Sequence, residues 1–137
     1  MAATQIKTAP ESTTAHVNFR GKAQQFYGSM MFCYQDQEWD SVFLLGVHAA
    51  ISMTDALCVL KLQKRSISSS HQDAVRLLME CFSKDAEARK NTDRLAQIIN
   101  QKHLAEYEAK RFTQKDASEF IKKVERFMAW AKNKLPA

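Results

Sequence analysis

Glycine and proline are almost missing from this chain: 3 and 2 in 137 residues. So few turn formers leave little room for the many tight turns of an all-β fold, and long helices suit the scarcity better. Cysteine is also sparse. Cys33, Cys58 and Cys81 are odd in number, far apart and set among apolar neighbours, which fits small core residues in a reduced compartment rather than a disulfide framework. None has a Cys or His partner at zinc-ligand spacing, so neither a metal nor another cofactor is expected. No run approaches the ~20 apolar residues of a membrane span, and the opening residues lack the apolar core of a secretory signal. No membrane association is therefore expected, and the cytoplasm is the default location. Glycine-rich phosphate loops, paired histidines on one helical turn with a catalytic Glu, and serine elbows are absent too.

What is present is helical periodicity. The length suits one domain with one core. Met1 to Thr14 has few large apolar groups and reads as a flexible tail, with the domain over 15–137. From about His16, the spacing of Ala23, Phe26/Tyr27, Met30/Met31 and Tyr34 predicts a first helix, and Gln35 to Glu38 a polar break. Trp39 to about Leu62 is apolar nearly all round, which places a second helix at the centre of a bundle. Ser70 and Asp73 suggest a capping box for a short third helix through Ala74, Val75, Leu78, Cys81 and Phe82. A fourth helix is expected from near Asp85 past Tyr107, with a charged first half prone to fray or break. Thr113 and Asp116 cap a fifth, striped by Ala117, Phe120/Ile121, Val124, Phe127/Met128, Ala131 and Leu135. The expected fold class is all-α: an antiparallel up-and-down bundle of four to five helices.

Charge is unevenly placed. Residues 1–83 carry seven Lys/Arg against seven Asp/Glu, whereas 84–137 carry thirteen against eight, so the whole net charge of +5 sits in the last third. Such a surplus permits an anionic partner, although Lys122, Lys123, Arg126, Lys132 and Lys134 also read simply as the solvated face of the last helix. Two interruptions of apolar faces are the candidate sites. His48, Ser52 and Asp55 lie in one line on the central helix, so they face a polar neighbour, a cleft or another subunit. On the fourth helix the stripe of Leu95, Ile98 and Ile99 passes into Lys102, His103, Glu106 and Tyr107, where a cleft could open. His71, opening the third helix, reads as a cap or solvent residue, with ligand binding as the alternative.

The order of these features resembles the HEPN family of helical bundles, named for higher eukaryotes and prokaryotes nucleotide-binding. The likeness runs from roughly Ala23 to Leu135. It rests on Gln37-Glu38-Trp39-Asp40 leading into His48-Ala49-Ala50 and Asp55-Ala56-Leu57, on Ser69-Ser70-His71, and on Lys102 to Tyr107 followed by Asp116-Ala117 and Glu125-Arg126-Phe127. The resemblance implies an antiparallel bundle that often dimerises, with a polar cleft lined by its fourth helix. Active members are metal-independent RNases that use an Arg, about four to six residues, then a His, a step of between one and two helical turns. Many are toxins encoded beside a small nucleotidyltransferase-like partner; members without the motif serve as binding or accessory modules.

Here Lys102 stands where that Arg would fall, and Tyr107 or Glu108 where the His would. Arg94 and His103 are too far apart for the motif and point to opposite faces of a helix. The expectation is a non-catalytic HEPN-like module, a homodimer, that binds a nucleotide, RNA or a protein partner through Lys102, His103, Tyr107, His48 and Asp55. The alternatives are a divergent RNase toxin, with His103 as base and Lys102 or Arg94 as cation, and a structural adaptor.

Overall fold

The computed structural model describes residues 5–109 and 111–136. Five helices carry the fold: α1 (His16–Gln35), α2 (Trp39–Leu62), α3 (Gln72–Cys81), α4 (Ala86–Tyr107) and α5 (Gln114–Lys134). The all-α bundle expected from the periodicity is what forms. α2 is the axis, packed on by each of the other four helices, and its buried face runs from Val42 and Phe43 to Leu57 and Val59. By length and composition α2 could cross a membrane, contrary to the expectation that no stretch approaches a span; 72% of its most apolar 18-residue window is buried in this fold.

Local chemistry sets the helix ends. Gln37, at φ 60°, makes the turn between α1 and α2, and Gln63 ends α2 in the left-handed conformation at φ 57°. α5 opens with the capping box: the Thr113 hydroxyl accepts the Asp116 N–H at 3.2 Å, and the Asp116 carboxylate accepts the Thr113 N–H at 3.0 Å. Asp85 caps α4 by accepting the N–H groups of Glu87 and Ala88, and its other oxygen accepts from Lys134 at 3.2 Å, tying the start of α4 to the end of α5.

Three details depart from the sequence reading. The segment expected as a tail is paired: β1 (Thr8–Pro10) lies antiparallel to β2 (Lys64–Ser66), with Thr8 opposite Ser66 and Pro10 opposite Lys64. A 3.3 Å Arg65–Glu11 ion pair and the Glu11 N–H to Gln63 carbonyl bond extend this ribbon. Residues 1–4 of that tail lie outside the described residues. The Ser70–Asp73 box does not form. His71 occupies the N-cap position without a side-chain cap, and Asp73 instead accepts the Ser68 hydroxyl at 2.6 Å. The charged first half of α4 neither frays nor breaks. Asn91 and Thr92 are buried with side chains donating to the Glu87 and Arg89 carbonyls, so polar groups there close on their own helix.

Aromatic packing from three segments closes the core near the start of α2. Phe43 stacks on Phe112 at 3.8 Å between centroids and meets Phe120 at 4.4 Å, while Asp40 accepts the Phe112 N–H. One turn on, Gly46 leaves room for these neighbours: a Cβ there would collide with the Phe120 ring and lie 2.9 Å from Met30 Sδ. Alanine is the better helix former by about 1 kcal/mol, yet Gly46→Ala is expected to destabilise the protein by about 1–3 kcal/mol through overpacking. Urea unfolding measures this, and a gain in stability would show that Phe120 and Met30 yield without penalty.

Candidate functional site

The polar line on α2 divides between two environments. Ser52 is buried. At the C-terminal end of the line, Asp55 faces Arg65 of β2, Lys22 of α1 and Glu11 beside β1. Burial is the largest influence on its carboxyl and pushes it up to about 7; Arg65 and Lys22 pull it down, and Glu11 adds to the rise. At the other end, His48 rests against the Phe26 ring at 5.6 Å and feels Lys102 and Glu106 across from α4. Asp55 therefore belongs under the β-ribbon and not with the residues of α4.

α4 sorts its four ionisable or aromatic residues into two rows. Lys102 and Glu106 form a 3.3 Å i,i+4 ion pair with side chains only 21% and 28% exposed. His103 and Tyr107 form the adjacent outward row, with ring centroids 5.2 Å apart; the His103 side chain is 68% exposed and lies 3.7 Å from Glu108. The difference follows from helical phase: Leu95, Ile99, Lys102 and Glu106 continue one inward row, and the next residue is rotated ~100° away. Tyr107 reaches the inward row through its hydrogen bond to Glu106.

The fourth member is His71, expected as a cap or solvent residue and found half-buried facing Lys102, His48 and Glu106. Beside it, Gln72 reaches across to donate to Asn100 of α4 at 3.0 Å. Three helices thus bring His48, His71, Lys102 and Glu106 onto one polar face. Burial, then the Lys102 charge, lowers both imidazole pKa values below the usual histidine range, while Glu106 acts in the opposite direction. Burial pushes the Glu106 carboxyl up, but hydrogen bonds from Tyr107 and Lys102 together with the charges of Lys102 and His48 leave it below the usual range. Near neutral pH the face holds two uncharged imidazoles and one internally paired charge couple: four groups that accept or donate protons, one of them a cation able to exchange its partner.

Of the expected site residues, the Lys102 charge acts on His48 across α2 and α4, Asp55 lies elsewhere along α2, and His103 and Tyr107 face outward. Glu106 and His71 complete the set. Glu106 was readable from the row that Leu95 and Ile99 begin; His71 carried no local signal, because what places it is the packing of α3 on α2 and α4. Arg94, the other cation considered, donates to Asn91 at 2.7 Å within α4. Among the described residues, no three His, Cys, Asp or Glu side chains are grouped to hold a metal ion.

The family model for the HEPN domain matches residues 19–134, which takes in α1 from Phe19, all of α2 to α5 and the polar face. The chain belongs to the HEPN domain family. No curated protein matches it. In this HEPN domain, the positions compared above with the RNase motif are Lys102, turned inward to Glu106, and Tyr107 or Glu108, both exposed. A hollow of about 460 Å³ lies on another side, between α1 and α5, lined by Gln24, Tyr27, Glu125, Met128 and Lys132.

Proposed function

We propose that this HEPN domain is a binding module that takes the phosphate backbone of single-stranded RNA, or a nucleotide, against the face formed by His48, His71, Lys102 and Glu106. One observation carries the reading: α4 turns Lys102 and Glu106 toward two half-buried imidazoles and leaves His103 outside. Lys102 can exchange Glu106 for a phosphate oxygen, and each imidazole gains a proton when an anion arrives. An open face spanning three helices suits an extended strand better than the enclosed, mostly apolar pocket typical of small-molecule sites. The basic surplus of the last third adds long-range attraction for the same ligand.

Fluorescence anisotropy with a short single-stranded RNA tests this. Lys102→Glu is expected to weaken binding roughly tenfold or more, the scale of one lost charge-assisted contact plus repulsion, with His103→Ala within about twofold of the parent. Equal effects of the two substitutions would remove the assignment.

The pH dependence has a definite sign. Both histidines are depressed in the free protein, and a bound anion favours their charged forms, so binding takes up protons and strengthens as pH falls from 8 toward their titration range. The same titration at several pH values checks this, and tighter binding at high pH would contradict it.

A homodimer belongs to the proposal. Phe32, 70% exposed on α1, supports it, since a large apolar side chain so open to water is a natural contact; sedimentation giving a single-chain mass at high concentration would remove it. A nucleotidyltransferase-like partner and a toxin-antitoxin pairing rest on the family likeness alone. The second reading is metal-independent RNA cleavage. Two imidazoles held neutral beside a lysine favour it, because such cleavage needs a base for the 2′-hydroxyl proton and a cation for the phosphorane charge. Cleavage of an RNA pool in EDTA that is lost in His48→Ala or His71→Ala would establish this reading, whereas loss in His103→Ala would restore the outward histidine as base.

A further inference from the structure

Cys58 and Cys81 lie far apart in sequence but meet where α3 packs on α2, with their sulfurs 3.9 Å apart. We infer that this pair is an oxidation site at which hydrogen peroxide joins α2 to α3 through an intramolecular disulfide. Three features of the fold support it. The two thiols come from different helices, so their Cβ atoms approach across an interface rather than along one helix. Cys81 is the last residue of α3 and is followed by the irregular Phe82 (φ −139°, ψ 44°), so the backbone that must move to close the remaining gap is a helix end. Cys58 is buried and Cys81 half-buried, which gives the oxidant access to one sulfur and holds the other in reserve behind it.

The electrostatics divide the roles. The Cys81 thiol is lowered from its usual range, chiefly because Cys58 hydrogen-bonds its thiolate form, with Lys61 and Lys64 adding positive charge while burial and Glu80 oppose them. Cys58 is raised, by that same hydrogen bond first and by burial next, so it keeps its proton. The Cys81 thiolate attacks one peroxide oxygen; the O–O bond breaks, leaving Cys81 sulfenic acid and releasing hydroxide, which combines with the proton that Cys81 gave up on ionising to form the first water. Cys58 then attacks the Cys81 sulfur; its proton leaves with the departing hydroxyl as a second water. Two thiols lose two electrons and two protons to one peroxide, giving two waters and the disulfide. The bond closes a loop that contains β2 and nearly all of α3, and so fixes the helix whose first turn follows His71.

The test uses a Cys33→Ser protein, which removes the third thiol on α1 and with it unrelated intermolecular pairing. Brief exposure to hydrogen peroxide is expected to remove both titratable thiols, with the chain still running as a monomer on a non-reducing gel. Tryptic peptides containing Cys58 and Cys81 should be linked at a mass two hydrogens below their sum, and dithiothreitol should restore both thiols. Peptide mapping on the otherwise unaltered chain keeps the result independent of whether Cys58→Ser folds. Thiols that remain titratable, Cys81 sulfinic acid with Cys58 still reduced, or a link between two chains would each overturn the inference.

Discussion

Asp55→Asn is expected to raise stability at pH 8 by an amount on the order of 3 kcal/mol, somewhat less than the ~4 kcal/mol that fully relieving the desolvated carboxylate would give. The wild-type carboxyl is raised to about 7, from an unfolded value near the 3.8 of a free carboxyl, because burial outweighs the attraction of Arg65 and Lys22. Between those two values the native chain keeps a proton that the unfolded chain has released, so stability falls as pH rises through the window and stays low above it. An amide has nearly the same shape and no charge to desolvate. Its advantage should therefore be small at pH 4, grow through pH 5 and 6, and level off above 7. Urea unfolding at pH 5 and pH 8 measures this. A variant destabilised at pH 8 would mean that the carboxylate is held ionised by Arg65 and Lys22, and that the ribbon covering it is an ionic clasp.

Phe43→Ala is expected to lower stability by about 3–5 kcal/mol, the upper range for a buried aromatic. Phe43 is 2% exposed and touches both Phe112, just ahead of α5, and Phe120 within it. Truncation would leave a cavity between α2 and the start of α5 and unstack Phe112, whose N–H is fixed by Asp40, so the surroundings cannot collapse freely. Stability measured by denaturation at pH 7 tests it. A loss below about 1 kcal/mol would place the centre of the core elsewhere.

The Phe43 prediction concerns the part of the molecule that sequence describes best, the Asp55 prediction a part that sequence describes poorly. α2 is legible because its apolar run is long and ends at polar Gln63, and α5 because Thr113 and Asp116 announce a cap that forms as written. The β1–β2 ribbon is not, since three paired residues on each side are too few for any alternation to stand out. The candidate site falls between these cases. His48 and Lys102 could be nominated because each interrupts an apolar face, but neighbours on a helix diverge by ~100°. A pattern that tolerates i+3 and i+4 alike cannot separate Lys102 from His103. Asp55 misled for a related reason: sharing a helical line with His48 puts it on the same face, but about two turns away and under a different neighbour. His71 enters only through tertiary packing, which local sequence does not encode.

The most direct test follows the four histidine side chains by NMR while a short single-stranded RNA is titrated in, at several pH values. The expected result is that His48 and His71 shift together and that RNA raises their titration midpoints, with His103 left in place. Movement of His103 without His48 and His71 would contradict the assignment of the inward face of α4 as the ligand surface.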